Sequence, residues 1–307
     1  MLKSVNLQQL RELRDQGEFF WLDLNAPDRE TVASVGEVLG WHPLAIEDTQ
    51  EFGQRPKVDR YADQLLLVYF AASEDEDQLP EPVEVHLHIS GSWVVSVHQG
   101  WRQFERIRAQ LERQPPETEQ SLVYRVIDGL SDSVLEELDR VAATVAEYEA
   151  EVFTRPRARA RDRMATLRRK LGSLRRVLVV QRQVFDRSVE RIVGLPGFDQ
   201  HLASYYRDIG DHLWQALDDV EAARDSVQSM LDTHTNEVQE RLTIVATIFL
   251  PLTVLTGFFG QNFTWLNHRL GSEWAFWVLC VGGLAISAFA IYFWLVRSGL
   301  YHGPSRR

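Results

Sequence analysis

Four aspartates, Asp211, Asp218, Asp225 and Asp232, recur every seven residues in a stretch with no glycine or proline between Gly210 and Pro251. At about 100° per helical residue they share one face of a helix. Almost opposite stand Ile209, Leu213, Ala216, Val220, Ala223, Val227 and Met230, at alternating steps of four and three, a heptad seam. The plain reading of the aspartates is the solvated face of an amphipathic helix. The chemical reading is a vestibule in which several copies gather their carboxylates around an axis and concentrate cations. Continued along the chain, the same face carries Gln239, Ala246, Leu250, Thr253 and Gly257, so an acidic stripe becomes uncharged.

Other chemistry is poorly served. The chain has no P-loop, nucleophile elbow or paired acid/base motif, which argues against an enzyme, a nucleotide cofactor and an ATP-driven pump. His86 and His88 fall on one face of a predicted strand, where an exposed face is expected more than a zinc site. His234 lies near the seam and is expected to pack, and His268 stands alone. The single cysteine, Cys280, excludes an internal disulfide.

The elements that must hold the stripe follow from charge and hydropathy. Of 307 residues, 45% are hydrophobic and 25% charged, a globular composition, and the net charge of −11 disfavours a general nucleic-acid binder. Residues 1–100 carry −11 and residues 154–191 carry +10. Two runs carry no charge at all: Leu242–Phe259, 18 residues, and Trp274–Val296, 23 residues. As helices they would span roughly 27 and 35 Å, against a hydrocarbon core of about 30 Å. Trp274, Trp277, Tyr292 and Trp294 sit near the ends of the second, as an aromatic belt requires. Arg241 precedes the first run and Arg297, Arg306 and Arg307 follow the second, which predicts a cell-membrane protein with both termini cytoplasmic. Two spans per chain cannot enclose a pore, so transport demands an oligomer.

The body before the spans reads as α/β followed by long helices. Residues 19–24, 64–72, 84–90 and 92–99 predict strands, and 29–40 a helix stopped by Gly40. Beyond Pro116 the period turns helical over 121–153 and 164–185, with breaks at Pro156 and 194–198. The acidic and basic members of this pair are expected to lie antiparallel with complementary charge. A last helix is expected from about Leu202 to Phe259, running unbroken into the first span. Pro251 within it frees the carbonyl of Thr247, which is expected to face pore water or a neighbouring helix. The divisions expected are 1–116 (α/β), 117–194 (antiparallel helices), 198–241 (stalk), 242–260 (first span), 261–273 (outer loop), 274–296 (second span) and 297–307 (basic tail).

TIFLPLTVLTGFFGQNF (247–263), followed by a short loop and one more span, resembles the CorA family of divalent-cation channels and transporters. So do residues 40–70, 205–219 and 235–243, and the resemblance covers almost the whole chain. It implies an α+β membrane protein: a homopentamer with a cytoplasmic α/β funnel and a stalk helix continuous with a pore-lining first span. The family's Gly-Met-Asn triplet stands here as Gly260-Gln261-Asn262. The resemblance makes this triplet the selectivity filter, with the Gly260 carbonyl and the Asn262 side chain facing a hydrated Mg²⁺ that sheds its waters reluctantly. It makes Asn236, Leu242, Leu250, Thr253 and Gly257 pore-lining, the leucines as dewetting constrictions. It assigns Asp48 and Asp232 to regulatory cations, through which internal Mg²⁺ inhibits its own uptake. Only three residues separate Asp232 from Asn236, where relatives carry about one heptad more, so Asp225 competes for that role. A relative specialised for zinc also departs at the middle of the triplet, so Zn²⁺, Co²⁺ or Ni²⁺ is the alternative cargo. A non-transporting, membrane-anchored cation sensor or scaffold is the alternative from another class.

Overall fold

A computed structural model describes residues 6–74, 79–116, 118–151, 157–199, 203–261, 264, 272, 274 and 276–297. The chain divides into two compact units, Met1–Ser229 and Met230–Arg307.

The first unit opens with α1 (Leu7–Gln16), β1 (Phe20–Asn25), α2 (Arg29–Leu39) and α3 (Pro43–Gln50). Then come β2 (Lys57–Tyr61), β3 (Gln64–Glu74), β4 (Pro80–Ser90) and β5 (Trp93–His98), followed by α4 (Arg102–Arg113), α5 (Glu119–Glu151) and α6 (Arg157–Val193). The strands form one mixed sheet in the order β1-β5-β4-β3-β2, with β1 parallel to β5 and the other pairs antiparallel. Alternation decides what each face carries. Phe20, Leu22 and Leu24 lie opposite Trp93, Val95 and Val97, and these six meet Leu10 of α1 and Val32, Val35 and Val38 of α2 in one core. Gly40 ends α2 as expected: its φ is +67°, a left-handed cap that glycine adopts without strain.

Elements missing from the expected list have local reasons. Helices α1 and α3 are short, 10 and 8 residues, yet both carry caps, Asn6 and His42. Strand β2 is a charged edge strand (KVDRY), and such edges resist unwanted pairing at the cost of the hydrophobic signal.

Strand β3 runs past the end of β2, and its last rungs on that edge need other partners. Gln181 of α6 supplies them for Phe70, accepting from its N–H at 2.6 Å and donating to its carbonyl at 2.9 Å. Ser133 of α5 accepts from the N–H of Ala72 at 3.2 Å. Buried Tyr69 closes the junction through Ser131, at 2.6 Å. A buried backbone group left unpaired costs about 1–3 kcal/mol. Gln181→Leu is therefore expected to destabilise the fold by about 2–4 kcal/mol, read as a lower midpoint of thermal unfolding in detergent. An unchanged midpoint would mean that water replaces the amide at no cost.

The predicted histidine face is corrected here. His86 and His88 are buried at 0% and 3% exposure, not solvent-facing. His86 Nε2 meets Glu84 at 2.7 Å, and His88 Nε2 meets the Thr49 hydroxyl at 2.8 Å while its ring stacks on Trp41. Burial holds His88 below the usual imidazole range, so it is neutral at physiological pH. The pair is core, not a zinc site.

The cations of α6 are shared among elements: Arg163 lies over the Tyr148 ring of α5, Lys170 pairs with Glu81 of β4, Arg175 with Glu221, and Arg182 lies over the Trp214 ring. Glu221 and Trp214 belong to α7 (Ala203–Phe259), the long helix expected from the sequence.

In the second unit the later part of α7 is followed, beyond Gly260 and Gln261, by a π-helical segment, Phe276–Gly282, and by α8 (Gly283–Arg297). Helix α8 thus has 15 residues, shorter than the unbroken helix expected, with a π segment before it.

Candidate cation pathway and cation cluster

Helix α7 carries the stripe. Ile209, Leu213, Ala216, Val220 and Val227 of the seam are buried at 1% exposure or less, while Asp211, Asp218, Asp225 and Asp232 are exposed. The seam is therefore spent on the first unit's core, and the aspartates stand on the opposite, exposed face.

The apolar part of α7 is bare. Its most hydrophobic 18-residue window has a mean hydropathy of 1.7 and none of it is buried. Leu242, Phe249, Leu250 and Val254 are each more than 60% exposed. So large an apolar surface is unfavourable in water and suits a lipid environment. Asn236, Thr253 and Gly257 are exposed on the same segment, so the single chain brings the proposed lining residues onto one helix without selecting the face that meets a pore.

Its threonines are prepared for an apolar setting. Thr243, Thr247 and Thr253 each donate to the carbonyl four residues back, at 2.8 Å. With its proton committed to Phe249, the Thr253 hydroxyl turns its lone pairs outward, which suits a cation or its water. The helix ends with the Gly260 N–H bonded to the Thr256 carbonyl at 2.9 Å, and Gln261 follows in a bend. Asn262, the outer-loop residue His268 and the tail beyond Arg297 lie outside the described residues.

Of the expected regulatory acids, Asp48 is occupied by Lys57 at 2.6 Å. Asp225 and Asp232 stand exposed on α7. The sequence reading missed a different grouping. Asp128 and Asp132, one turn apart on α5, face His212 on α7, whose Nδ1 lies 3.8 Å from Asp128 Oδ1 and 3.6 Å from Asp132 Oδ1. Asp208, one turn before His212, lies 4.0 Å from its Nε2. Tyr124 packs against Tyr205 and Tyr206 beside them, fixing α5 on α7.

The electrostatics are those of a site short of positive charge. Burial and then the Asp132 carboxylate push Asp128 up to about 6, and burial also raises Asp132. Burial and the carboxylates push the Tyr124 hydroxyl up to about 12. Asp128 Oδ1 and His212 Nδ1 are buried and accept or donate no hydrogen bond. One ligand atom from each of Asp128, Asp132 and His212 lies within 4.8 Å of the others. Tetrahedral zinc ligands stand about 3.4 Å apart, so slight closure would hold a bare ion, whereas a hydrated Mg²⁺ needs the wider spacing. The signal available in the sequence was a pair of i, i+4 spacings, 128/132 and 208/212; nothing local says that the two turns meet.

A family profile, CorA-like Mg²⁺ transporter protein, matches residues 16–297. The chain belongs to the CorA family. The cobalt/magnesium transport protein CorA of Thermotoga maritima is 31% identical over 95% of this chain and 86% of that protein. The zinc transport protein ZntB of Yersinia enterocolitica is 25% identical over 80% of this chain and 76% of that protein. In structure, the CorA magnesium transporter of Methanocaldococcus jannaschii superposes with a TM-score of 0.67 at 19% identity, covering 92% of each chain. The CorA-family chain is therefore a divalent-cation transporter and not an enzyme, on the α+β fold expected for the family.

Proposed function

We propose that this CorA-family chain is a homopentameric Mg²⁺ channel of the cell membrane, with both termini in the cytoplasm. The observation that carries the reading is α7 itself, on which an exposed acidic stripe passes into a bare, uncharged segment ending at Gly260-Gln261-Asn262. Aspartates gather hydrated cations in the vestibule, Leu242 and Leu250 form the dewetting gate, and Asn236 and Thr253 offer oxygens along the way. The Gly260 carbonyl and the Gln261 and Asn262 amides receive the ion with its water, as Mg²⁺ prefers. The membrane potential drives entry, about 2.3 kcal/mol per charge per 100 mV and twice that for a divalent ion.

Internal cation closes the channel through the Asp128–Asp132–His212 cluster. Three groups there share a deficit of positive charge, whereas Asp48 already holds Lys57. Zinc is the second reading, favoured by the ZntB relative and by the nitrogen ligand that His212 adds to the cluster.

Uptake of Mg²⁺ and of Zn²⁺ into proteoliposomes under an imposed inside-negative potential tests the assignment. The expected result is potential-dependent Mg²⁺ entry exceeding that of Zn²⁺, with a native mass of five subunits. Zn²⁺ entry without Mg²⁺ entry would transfer the assignment to zinc. Neither ion entering would leave the sensor or scaffold reading.

A further inference from the structure

Strands β1 and β5 are parallel neighbours, yet the helices that follow them leave to opposite sides of the sheet. Helix α2 packs through Val32, Val35 and Val38 on the face that carries Phe20, Leu22 and Leu24. Helix α4 takes the other face, where Phe104 lies 6.0 Å from the Trp21 ring and 4.6 Å from that of His98. Such a divergence opens a crevice beyond the carboxyl ends of the two strands, the place where open α/β sheets hold ligands. Here the strands end at Asn25 and His98, and their loops are tied across the gap. The Ala26 N–H donates to the His98 carbonyl at 2.7 Å, and the Gly100 N–H to Asn25 Oδ1 at 2.9 Å.

A cavity of about 440 Å³ lies at these loops, with Pro27, Arg29, Thr49, Gln50, Phe52 and Gln99 in its wall. That is the size of a small-molecule site. Phe52 stacks one face of its ring on His86, with centroids 4.8 Å apart and planes at 17°, which leaves the other face for a second flat group. Arg29 meets Glu51 through one nitrogen at 3.5 Å, so most of its N–H donors are open. The Gln50 amide nitrogen donates to the Arg29 carbonyl at 2.9 Å and keeps its oxygen as an acceptor. Gln99 is exposed, and its amide offers both a donor and an acceptor. One aromatic plate, two amides and one guanidinium suit a flat heteroaromatic ring that carries an anion.

We propose that this crevice binds a nucleoside monophosphate, with its base on Phe52, the two amides at the base edge and its phosphate on Arg29. A guanidinium grips phosphate in a forked, charge-assisted pair and needs no P-loop to do so. The cation pathway uses none of these residues.

Equilibrium dialysis of radiolabelled AMP against the full chain, in detergent and chelator, tests the site independently of ion flux. Saturable binding is expected, with adenosine and ribose 5-phosphate each at least about tenfold weaker as competitors, since each lacks half of the contacts. Arg29→Gln is expected to weaken AMP about tenfold and leave adenosine unchanged, whereas Glu51→Gln frees Arg29 and is expected to tighten AMP. Gln99→Ala is expected to weaken AMP and adenosine alike. All three positions are exposed, so the unfolding midpoint is expected to stay in place. No saturable binding of AMP below about 1 mM would overturn the proposal. So would binding that all three substitutions leave unchanged, which would place the nucleotide elsewhere. Ribose 5-phosphate competing as well as AMP would overturn it in favour of a bare phosphate site.

Discussion

Asn262→Ala is expected to lower Mg²⁺ uptake at least tenfold while leaving folding, membrane insertion and oligomer mass unchanged. The residue follows the end of α7 by three positions in the sequence. Its proposed contribution is an amide oxygen repeated once per copy around the mouth. A hydrogen bond to a charged group contributes about 1.5–3 kcal/mol, and a tenfold change in rate corresponds to about 1.4 kcal/mol. Losing several such contacts at once therefore exceeds tenfold unless backbone carbonyls compensate. The measurement is initial uptake into proteoliposomes at matched protein density. Equal uptake by wild type and variant would remove the filter assignment without touching family membership, which rests on the whole chain. Gln261→Met keeps Asn262 and is expected to retain Mg²⁺ uptake, so that any change falls on the preference between ions.

The second large effect concerns inhibition. Asp128→Asn combined with Asp132→Asn is expected to raise the internal Mg²⁺ needed for half-inhibition by tenfold or more. Both side chains contribute an oxygen to the cluster, and His212 alone offers a nitrogen to an ion that prefers oxygen. Asp48→Asn serves as the comparison. If it shifts inhibition as strongly, the acid held by Lys57 is the sensor and the cluster is not.

A readout independent of flux comes from stability. An ion that binds only the folded state at a hundred times its Kd adds about 2.7 kcal/mol, so Mg²⁺ is expected to raise the unfolding midpoint of wild type and not of the double variant. The pH dependence without ion has a definite sign. Asp128 is raised from 3.8 to about 6 in the folded protein, so between those values the folded state binds more protons than the unfolded. Stability in chelator is thus expected to fall as pH rises from about 4 to 6, with about 3 kcal/mol as the ceiling and about half that after solvent screening. Asp128→Asn is expected to flatten this slope. A slope that survives the substitution would place the titration elsewhere.

Much of the molecule was legible along the chain because its signals are local and periodic. The heptad seam of α7 and the aspartates opposite it follow from 3.6 residues per turn, and the structure buries the first and exposes the second. The uncharged run from Leu242 needs no neighbours to be recognised, since hydropathy is a property of the residues themselves. The Gly260-Gln261-Asn262 triplet was equally plain, as an ordered motif at the end of that run. Tertiary structure decided the rest. His86 and His88 looked like a polar strand face, but Phe52 stacks on His86 and Trp41 on His88, and a strand's two faces cannot be told apart when both are buried. The arginines of α6 looked suited to α5, and Arg163 does lie over Tyr148 there, but Arg175 and Arg182 reach α7, because packing as well as net charge sets which helix faces meet. Asp128, Asp132 and His212 became a cluster only when two helices 80 residues apart in the chain lay side by side. Cation affinity depends on distances between side chains, and no spacing along one segment encodes a distance to another.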